Sequence, residues 1–217
     1  MADQGDGGVG VPRPRIKICG LTRLEDALLA ARLGADALGF NLWPGSKRHL
    51  DADAVRAIVD RLPPFVTAVG VFVNQLPTEV LALAAQSGVQ AVQLHGDESW
   101  EDVNGYPIPA IKALRVAGPE SLAHLHRYRV RAFLLDAPGA GFGGSGATFD
   151  WSLAAEAARR APVILAGGLT PDNVARAIRA VRPYAVDVAS GVEHSPGVKD
   201  TDRLRRFIEN ASQEMTP

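Results

Sequence analysis

Four short apolar segments of this chain carry, in alternate positions, side chains able to exchange protons or hold charge. Lys17 and Cys19 alternate with Ile16 and Ile18, Gln93 and His95 with Val92 and Leu94, Leu134 and Asp136 with Phe133 and Leu135, and Asp187 and Ala189 with Val186 and Val188. Successive side chains of a β-strand point to opposite faces. If the apolar pairs pack beneath covering helices, the polar set shares the other face and gathers near the carboxyl ends of the strands. A thiol, an imidazole and carboxylates converging there are the groups of proton-transfer chemistry. Taken singly, each has a plain structural reading: a buried Asp or Gln tying down a loop, a small core cysteine, a hydrogen-bonded histidine. Four segments presenting such groups at the same end make coincidence the weaker reading.

Two further segments suit an anion. Ala166-Gly167-Gly168-Leu169 and Ala189-Ser190-Gly191-Val192-Glu193 each follow an apolar run, and glycines let backbone N–H groups approach a phosphate closely. Tight turns alone would also explain Gly167 and Gly168, but both loops carrying glycine favours a phosphate monoester. The stretch Pro138–Gly146, rich in glycine, reads as a cover that orders over substrate. The chain has no Walker lysine and no Gly-x-Ser-x-Gly elbow, so ATP chemistry and serine hydrolysis lack support. Its five histidines are scattered, which argues against a metal site. No cofactor is expected.

The elements that must position these residues follow from periodicity. Eight apolar runs, Ile16–Cys19, Ala37–Asn41, Ala68–Val73, Ala91–His95, Ala110–Leu114, Ala132–Asp136, Val163–Ala166 and Ala185–Ala189, read as strands. Between and after them, Arg23–Leu33, Asp51–Arg61, Thr78–Ser87, Glu120–Arg127, Trp151–Arg160, Asp172–Val181 and Thr201–Ala211 read as helices, with a short one near Ser99–Val103. Strand–helix alternation implies parallel strands joined by right-handed crossovers, and eight such units close into a (β/α)8 TIM barrel rather than an open sheet. The expected layout is one α/β barrel domain over residues 15–212, a flexible tail at 1–14 and a short tail at 213–217.

Composition narrows the function. A chain of 217 residues with 47% hydrophobic and 22% charged residues is that of an ordinary globular domain. A net charge of −1 offers no basic surplus for a nucleic acid, and no apolar run is long enough to span a membrane. One cysteine and an opening without a basic, apolar leader are consistent with the cytoplasm.

At this point the ordered blocks become specific. Lys17-Ile18-Cys19-Gly20-Leu21-Thr22, Gly70-Val71-Phe72-Val73-Asn74, Val92-Gln93-Leu94-His95-Gly96, Leu135-Asp136, Gly143-Gly144-Ser145-Gly146, Leu165-Ala166-Gly167-Gly168-Leu169, Val186–Glu193 and Pro196–Asp200 together resemble the phosphoribosylanthranilate isomerase family of tryptophan biosynthesis. The resemblance covers Ile16 to about Phe207. It implies an Amadori rearrangement of N-(5-phosphoribosyl)anthranilate, with Asp136 as general acid, Cys19 as general base and Arg48 at the anthranilate carboxylate. Gln93, His95 and Asp187 would orient sugar hydroxyls and the amino nitrogen. Gly144, Gly167, Gly168, Ser190 and Gly191 would hold phosphate. Lys47 stands where proline is usual in the family, a change that could loosen the loop but leaves Arg48 in place. The partner is thus a small phosphosugar substrate, and the chain is a monomer or homodimer.

The two proton movements set requirements. An aspartic acid near about 3.9 must be raised to donate at neutral pH, and burial acts in that direction. A thiol near about 8.5 needs positive charge nearby to become a base. Lys17 lies roughly 6.6 Å below Cys19 along the strand. It is expected to pair mainly with Asp187 and to help the thiol only indirectly. The histidine-pathway isomerase, a rival barrel, resembles this chain but carries aspartate in place of Cys19. A non-catalytic phosphate-binding barrel would not need Cys19 and Asp136 together, and a redox sensor would need a second cysteine.

Overall fold

The β-branched and aromatic runs do form strands, and each strand's neighbours are its neighbours in sequence. A computed structural model describes residues 13–137 and 150–213. The strands are β1 (Arg15–Ile18), β2 (Ala37–Asn41), β3 (Thr67–Phe72), β4 (Ala91–Leu94), β5 (Ala110–Arg115), β6 (Ala132–Asp136), β7 (Val163–Leu165) and β8 (Ala185–Val188). All pair in parallel in the order β1 to β8, and β8 pairs back onto β1, so the barrel is closed. The closing register sets Lys17 directly beside Asp187.

The covering helices are α1 (Leu24–Leu33), α2 (Ala52–Val59), α3 (Pro77–Ser87), α4 (Trp100–Val103), α5 (Trp151–Ala158), α6 (Val174–Val181) and α7 (Thr201–Gln213). Local chemistry sets their ends. Asp51 caps α2 by accepting from the Ala54 N–H, and Ser99 with Asp102 forms a capping box on α4, each satisfying N–H groups the helix leaves open. Gly34 ends α1 in the left-handed conformation at φ 106°, which costs a side-chain-bearing residue more.

Two helix readings need correction. Glu120–Arg127 is not one helix but two 3-10 turns, Pro119–Leu122 and Leu125–Arg127. The segment buries only Leu122 and Leu125 fully, too few apolar positions to stabilise a longer helix. Helix α6 begins at Val174, because Asn173 folds back: its Oδ1 accepts from the Thr170 N–H and its Nδ2 donates to the Gly168 carbonyl. Strand ends differ from the sequence reading by a residue or so, and Cys19, His95 and Ala189 fall just past the last paired residue, at the mouth.

Parity sorted the faces correctly. Ile16, Ile18, Val92, Leu94, Phe133, Leu135, Val186 and Val188 belong to the large apolar layer between barrel and helices. Ala113, Ala132, Leu134, Ile164, Ala166 and Ala185 form a separate small cluster inside the barrel. Each large side chain fully buried in the outer layer stabilises by about 1.5–3 kcal/mol, so the helices are held by hydrophobic burial and the inner face is left free for polar groups above Leu134. Arg13 and Pro14, assigned to the tail from sequence, lie against the barrel: Pro14 is buried and Arg13 pairs with Asp36 at 2.8 Å. The proposed cover Pro138–Gly146, with Gly144, lies outside the described residues. Among those described, no helix is long and apolar enough to cross a membrane.

Candidate active site

A cavity of about 780 Å³ opens at the carboxyl ends of the strands. Every expected site residue within the described segments lines it: Cys19, Arg48, Gln93, His95, Asp136, Gly167, Gly168, Asp187, Ser190 and Gly191. This is where the βα loops of a barrel meet.

On the β1–β8 side the groups are paired. Lys17 is 3% exposed, and its Nζ donates to Asp187 Oδ1 at 2.6 Å, the partner expected from sequence. The lysine's relation to Cys19 is closer than expected. A Cβ built on Gly39 of β2 would lie 2.7 Å from Cys19 Sγ and 3.1 Å from Lys17 Nζ, so thiol and ammonium crowd the same bare patch of backbone. Burial works against the lysine's charge, yet Asp187 and Cys19 outweigh it and hold the ammonium above its usual value. Burial pushes the Cys19 thiol up, and the Lys17 charge beside it opposes that rise directly. The idea of a purely indirect influence of Lys17 is therefore corrected. The β-strand puts residues 17 and 19 on one face, and the long lysine side chain spans the gap between them.

On the β4–β6 side pairing is incomplete. Gln93 Nε2 lies 2.7 Å from His95 Nδ1. With the amide donating, Nδ1 is the acceptor and the ring proton sits on Nε2. That Nε2 faces Asp136 Oδ2 at 3.4 Å without forming a hydrogen bond to it. Among the described residues, His95 Nε2 and Gln93 Oε1 are both buried with no partner. Asp136 is 6% exposed, and its Oδ1 accepts from the Ala137 N–H at 2.9 Å. Buried polar atoms without partners are costly and concentrate where a ligand completes them.

Arg48 reaches the cavity from the loop after β2. The loop is tied without a proline: the Ser46 N–H donates to the Trp43 carbonyl, the His49 N–H to the Ser46 carbonyl, and the Arg48 N–H to Ser46 Oγ at 3.1 Å. The guanidinium donates from Nε and Nη2 to the two oxygens of Glu193, at 2.8 and 2.6 Å. Glu193 also accepts from Lys199 Nζ at 3.0 Å, and Lys199 donates to the carbonyls of Cys19 and Ala189 at 2.6 and 3.2 Å. Glu193 and Lys199 were missed as site residues. They sit on a hairpin (β9, Glu193–Ser195, and β10, Val198–Lys199) whose charged residues look like those of any exposed turn. The one available sign was their place within the Val186–Asp200 blocks.

The glycines of the anion loops have a steric cause of their own. A Cβ at Gly167 (φ 78°) would lie 2.4 Å from the Ala137 nitrogen and 3.0 Å from Asp136 Oδ1, and one at Gly191 would lie 1.9 Å from the Leu169 carbonyl oxygen. Missing side chains thus let the β7 and β8 loops press against β6 and against each other. The start of α6 is separated from Gly168 by the Thr170–Asn173 turn, so its positive end is not the loop's immediate continuation. A 3-10 turn at Ser190–Val192 takes that place after β8.

A thiol, a carboxyl group, a paired arginine and glycine loops around one cavity suit proton transfer on an anionic small molecule. Comparison with known proteins agrees. The family model described as N-(5'phosphoribosyl)anthranilate (PRA) isomerase matches residues 16–210. The chain belongs to the N-(5'-phosphoribosyl)anthranilate isomerase family. The family member of that name from Myxococcus xanthus is 50% identical over 202 residues, covering 91% of this chain and 95% of the relative. A phosphoribosyl anthranilate isomerase solved in complex with reduced 1-(o-carboxyphenylamino)-1-deoxyribulose 5-phosphate is 45% identical. Its TM-score is 0.83, with 91% of this chain and 98% of that one covered. A solved family member from Thermotoga maritima, described as monomers generated from a dimeric isomerase, is 43% identical with a TM-score of 0.82 and the same two coverages. The family blocks include Cys19, Asp136, Glu193 and Lys199, all within the matched span.

Proposed function

We propose that this chain isomerises N-(5-phosphoribosyl)anthranilate to 1-(2-carboxyphenylamino)-1-deoxyribulose 5-phosphate, a step of tryptophan biosynthesis, by general acid and base catalysis. One observation carries the assignment of roles: Cys19 and Asp136 come from β1 and β6, which are not neighbours in the barrel, yet line the same cavity. A bound sugar can therefore be flanked by a base and an acid.

Asp136 in its protonated form donates to the furanose ring oxygen. The bond from that oxygen to carbon 1 breaks, its electron pair goes to oxygen, and the nitrogen lone pair completes a protonated imine. Cys19 as thiolate removes the proton from carbon 2, and the released pair forms the enolamine, which tautomerises to the ketone as carbon 1 gains a proton. Lys17 opposes the burial penalty on the thiolate and is itself neutralised by Asp187. His95 Nε2 and Gln93 Oε1, without partners among the described residues, meet the sugar hydroxyls and amino nitrogen. Gly167, Gly168, Ser190 and Gly191 take the phosphate, with Gly144. Arg48 meets the aryl carboxylate.

The catalytic unit is the barrel over residues 15–212, working in the cytoplasm without a cofactor, as a monomer or as a homodimer like the dimeric relative. Light scattering of the purified chain separates the two states. The functional test follows anthranilate fluorescence as phosphoribosylanthranilate is consumed. Turnover by the wild type, lost by orders of magnitude in Cys19→Ser and Asp136→Asn, supports both activity and roles. Binding without turnover removes the enzyme reading.

A further inference from the structure

Arg48 enters the cavity with its donors already partly committed. Nε and one Nη2 hydrogen are held by the carboxylate of Glu193 in a parallel two-point pair, the strongest geometry open to a guanidinium. Among the described residues Nη1 has no hydrogen-bond partner. The stem is fixed as well, because a Cβ at Gly20 (φ 72°) would lie 2.4 Å from Arg48 Cδ, so the side chain lies flat on bare backbone next to Cys19. Glu193 is itself immobilised: it is 6% exposed and accepts from the Gly197 N–H at 3.2 Å as well as from Lys199. Lys199 is buried, and its Nζ bridges the carbonyls that end β1 and β8. Arg48 and Lys199 hold Glu193 below the usual glutamate range despite burial. Two cations and one anion leave a single unit of positive charge, the complement of one carboxylate.

We propose that Glu193 is a positioning and specificity-determining residue. It holds the Arg48 guanidinium so that the Nη1 edge alone is presented to the aryl carboxylate of the substrate, and Lys199 keeps that edge in register with Cys19. The inference rests on the isomerase reading and on Arg48 as the group that meets the carboxylate. An arginine free to rotate would bind an anion in many orientations. One clamped on its far edge accepts a planar carboxylate in one orientation, which also fixes the sugar carbon 2 relative to the thiol.

The experiment compares phosphoribosylanthranilate with the phosphoribosyl adduct of aniline, which lacks the carboxylate, in the wild type and in Glu193→Gln, Arg48→Met and the double variant. Glutamine keeps an acceptor for Lys199 but loses the charge and the two-point geometry. Glu193→Gln is expected to reduce the preference for the carboxylated substrate about tenfold, chiefly through KM. In the Arg48→Met background the same change moves that preference less than about twofold, since coupled residues are not additive. Equal losses on both substrates, or an undiminished effect without Arg48, overturn the inference and reduce Glu193 to a structural residue. If Glu193→Gln does not fold, Glu193→Asp keeps the charge and is read against the same two outcomes. Failure of the wild type to turn over phosphoribosylanthranilate removes the functional reading itself. A wild type that turns over and loses carboxylate preference in Arg48→Met, with Glu193→Gln unchanged, removes only this inference.

Discussion

The two flanks of the cavity mouth are built on opposite plans. On the β1–β8 flank, Lys17, Asp187, Glu193 and Lys199, all buried, and the half-buried Arg48 satisfy one another in ion pairs at 2.6 to 3.0 Å. On the β4–β6 flank, Gln93, His95 and Asp136 form a chain that stops short, with Gln93 Oε1 and His95 Nε2 buried and without partners among the described residues. The paired flank is an arrangement the protein completes by itself, so it sets the position of the thiol and of Arg48 before substrate arrives. The unpaired flank keeps hydrogen-bonding capacity in reserve for a ligand. Pre-organisation and unmet polar demand are two ways of favouring a bound transition state, and they leave different marks on stability.

That difference can be broken most directly at the proposed proton-transfer groups, one on each flank. Asp136→Asn and Cys19→Ala are expected to lower kcat by about 10²–10⁴-fold in the fluorescence assay, with little change in melting temperature. A variant retaining more than a tenth of wild-type kcat would remove its residue from the acid–base pair. Next in size, Lys17→Met leaves Asp187 buried without its cation and is expected to cost about 3–5 kcal/mol in urea unfolding. It also raises the Cys19 thiol further, which iodoacetamide alkylation as a function of pH would read as a shift to higher pH. An unmoved alkylation curve in a folded variant would restore the indirect role of Lys17.

Gln93→Leu sharpens the contrast from the other side. It removes an acceptor without a partner among the described residues but also the donor to His95 Nδ1, so it should cost about 1–3 kcal/mol, while the loss of the His95 contact lowers kcat/KM by about tenfold. A stability loss as large as that of Lys17→Met would mean that both flanks are built alike. Smaller still is a pH effect on folding. Glu193 is held below the ordinary glutamate value, so its pairing stabilises the fold fully above the unfolded value of about 4.3 and the contribution is lost as pH falls through the lower folded value. Glu193→Gln should flatten the acid limb of the stability curve. For catalysis the trend with pH is the same, although the Cys19 shift is upward rather than downward. A base with a raised thiol pKa gives kcat/KM that climbs as pH rises past about 8.5, and a profile flat through that region would exclude Cys19 as the titrating base.

Much of the site was readable because a strand has a period of two. Once Ile16 and Ile18 are assigned to the helix-facing layer, Lys17 and Cys19 must face inward, and the same holds for Gln93, Asp136 and Asp187. The helical reading failed at Glu120–Arg127, where apolar spacing alone did not reveal how little surface the segment buries. It ran early at α6, where the Asn173 side chain competes for the backbone. Glycines after β7 and β8 marked the loops but not the reason for them. The 1.9 Å approach of a Gly191 Cβ to the Leu169 oxygen involves residues 22 positions apart in sequence and exists only in the folded chain.

The amino-acid sequence by itself determined the barrel, the inward residues and the family, because periodicity and ordered motifs are local properties of the chain. The tertiary structure alone decided which charges meet. Arg48 and Glu193 are separated by 145 positions, and Lys199 and the Cys19 carbonyl by 180. Whether such groups become exposed side chains or a buried clamp depends on barrel closure, which brings β8 back beside β1 and removes the water that would otherwise screen them.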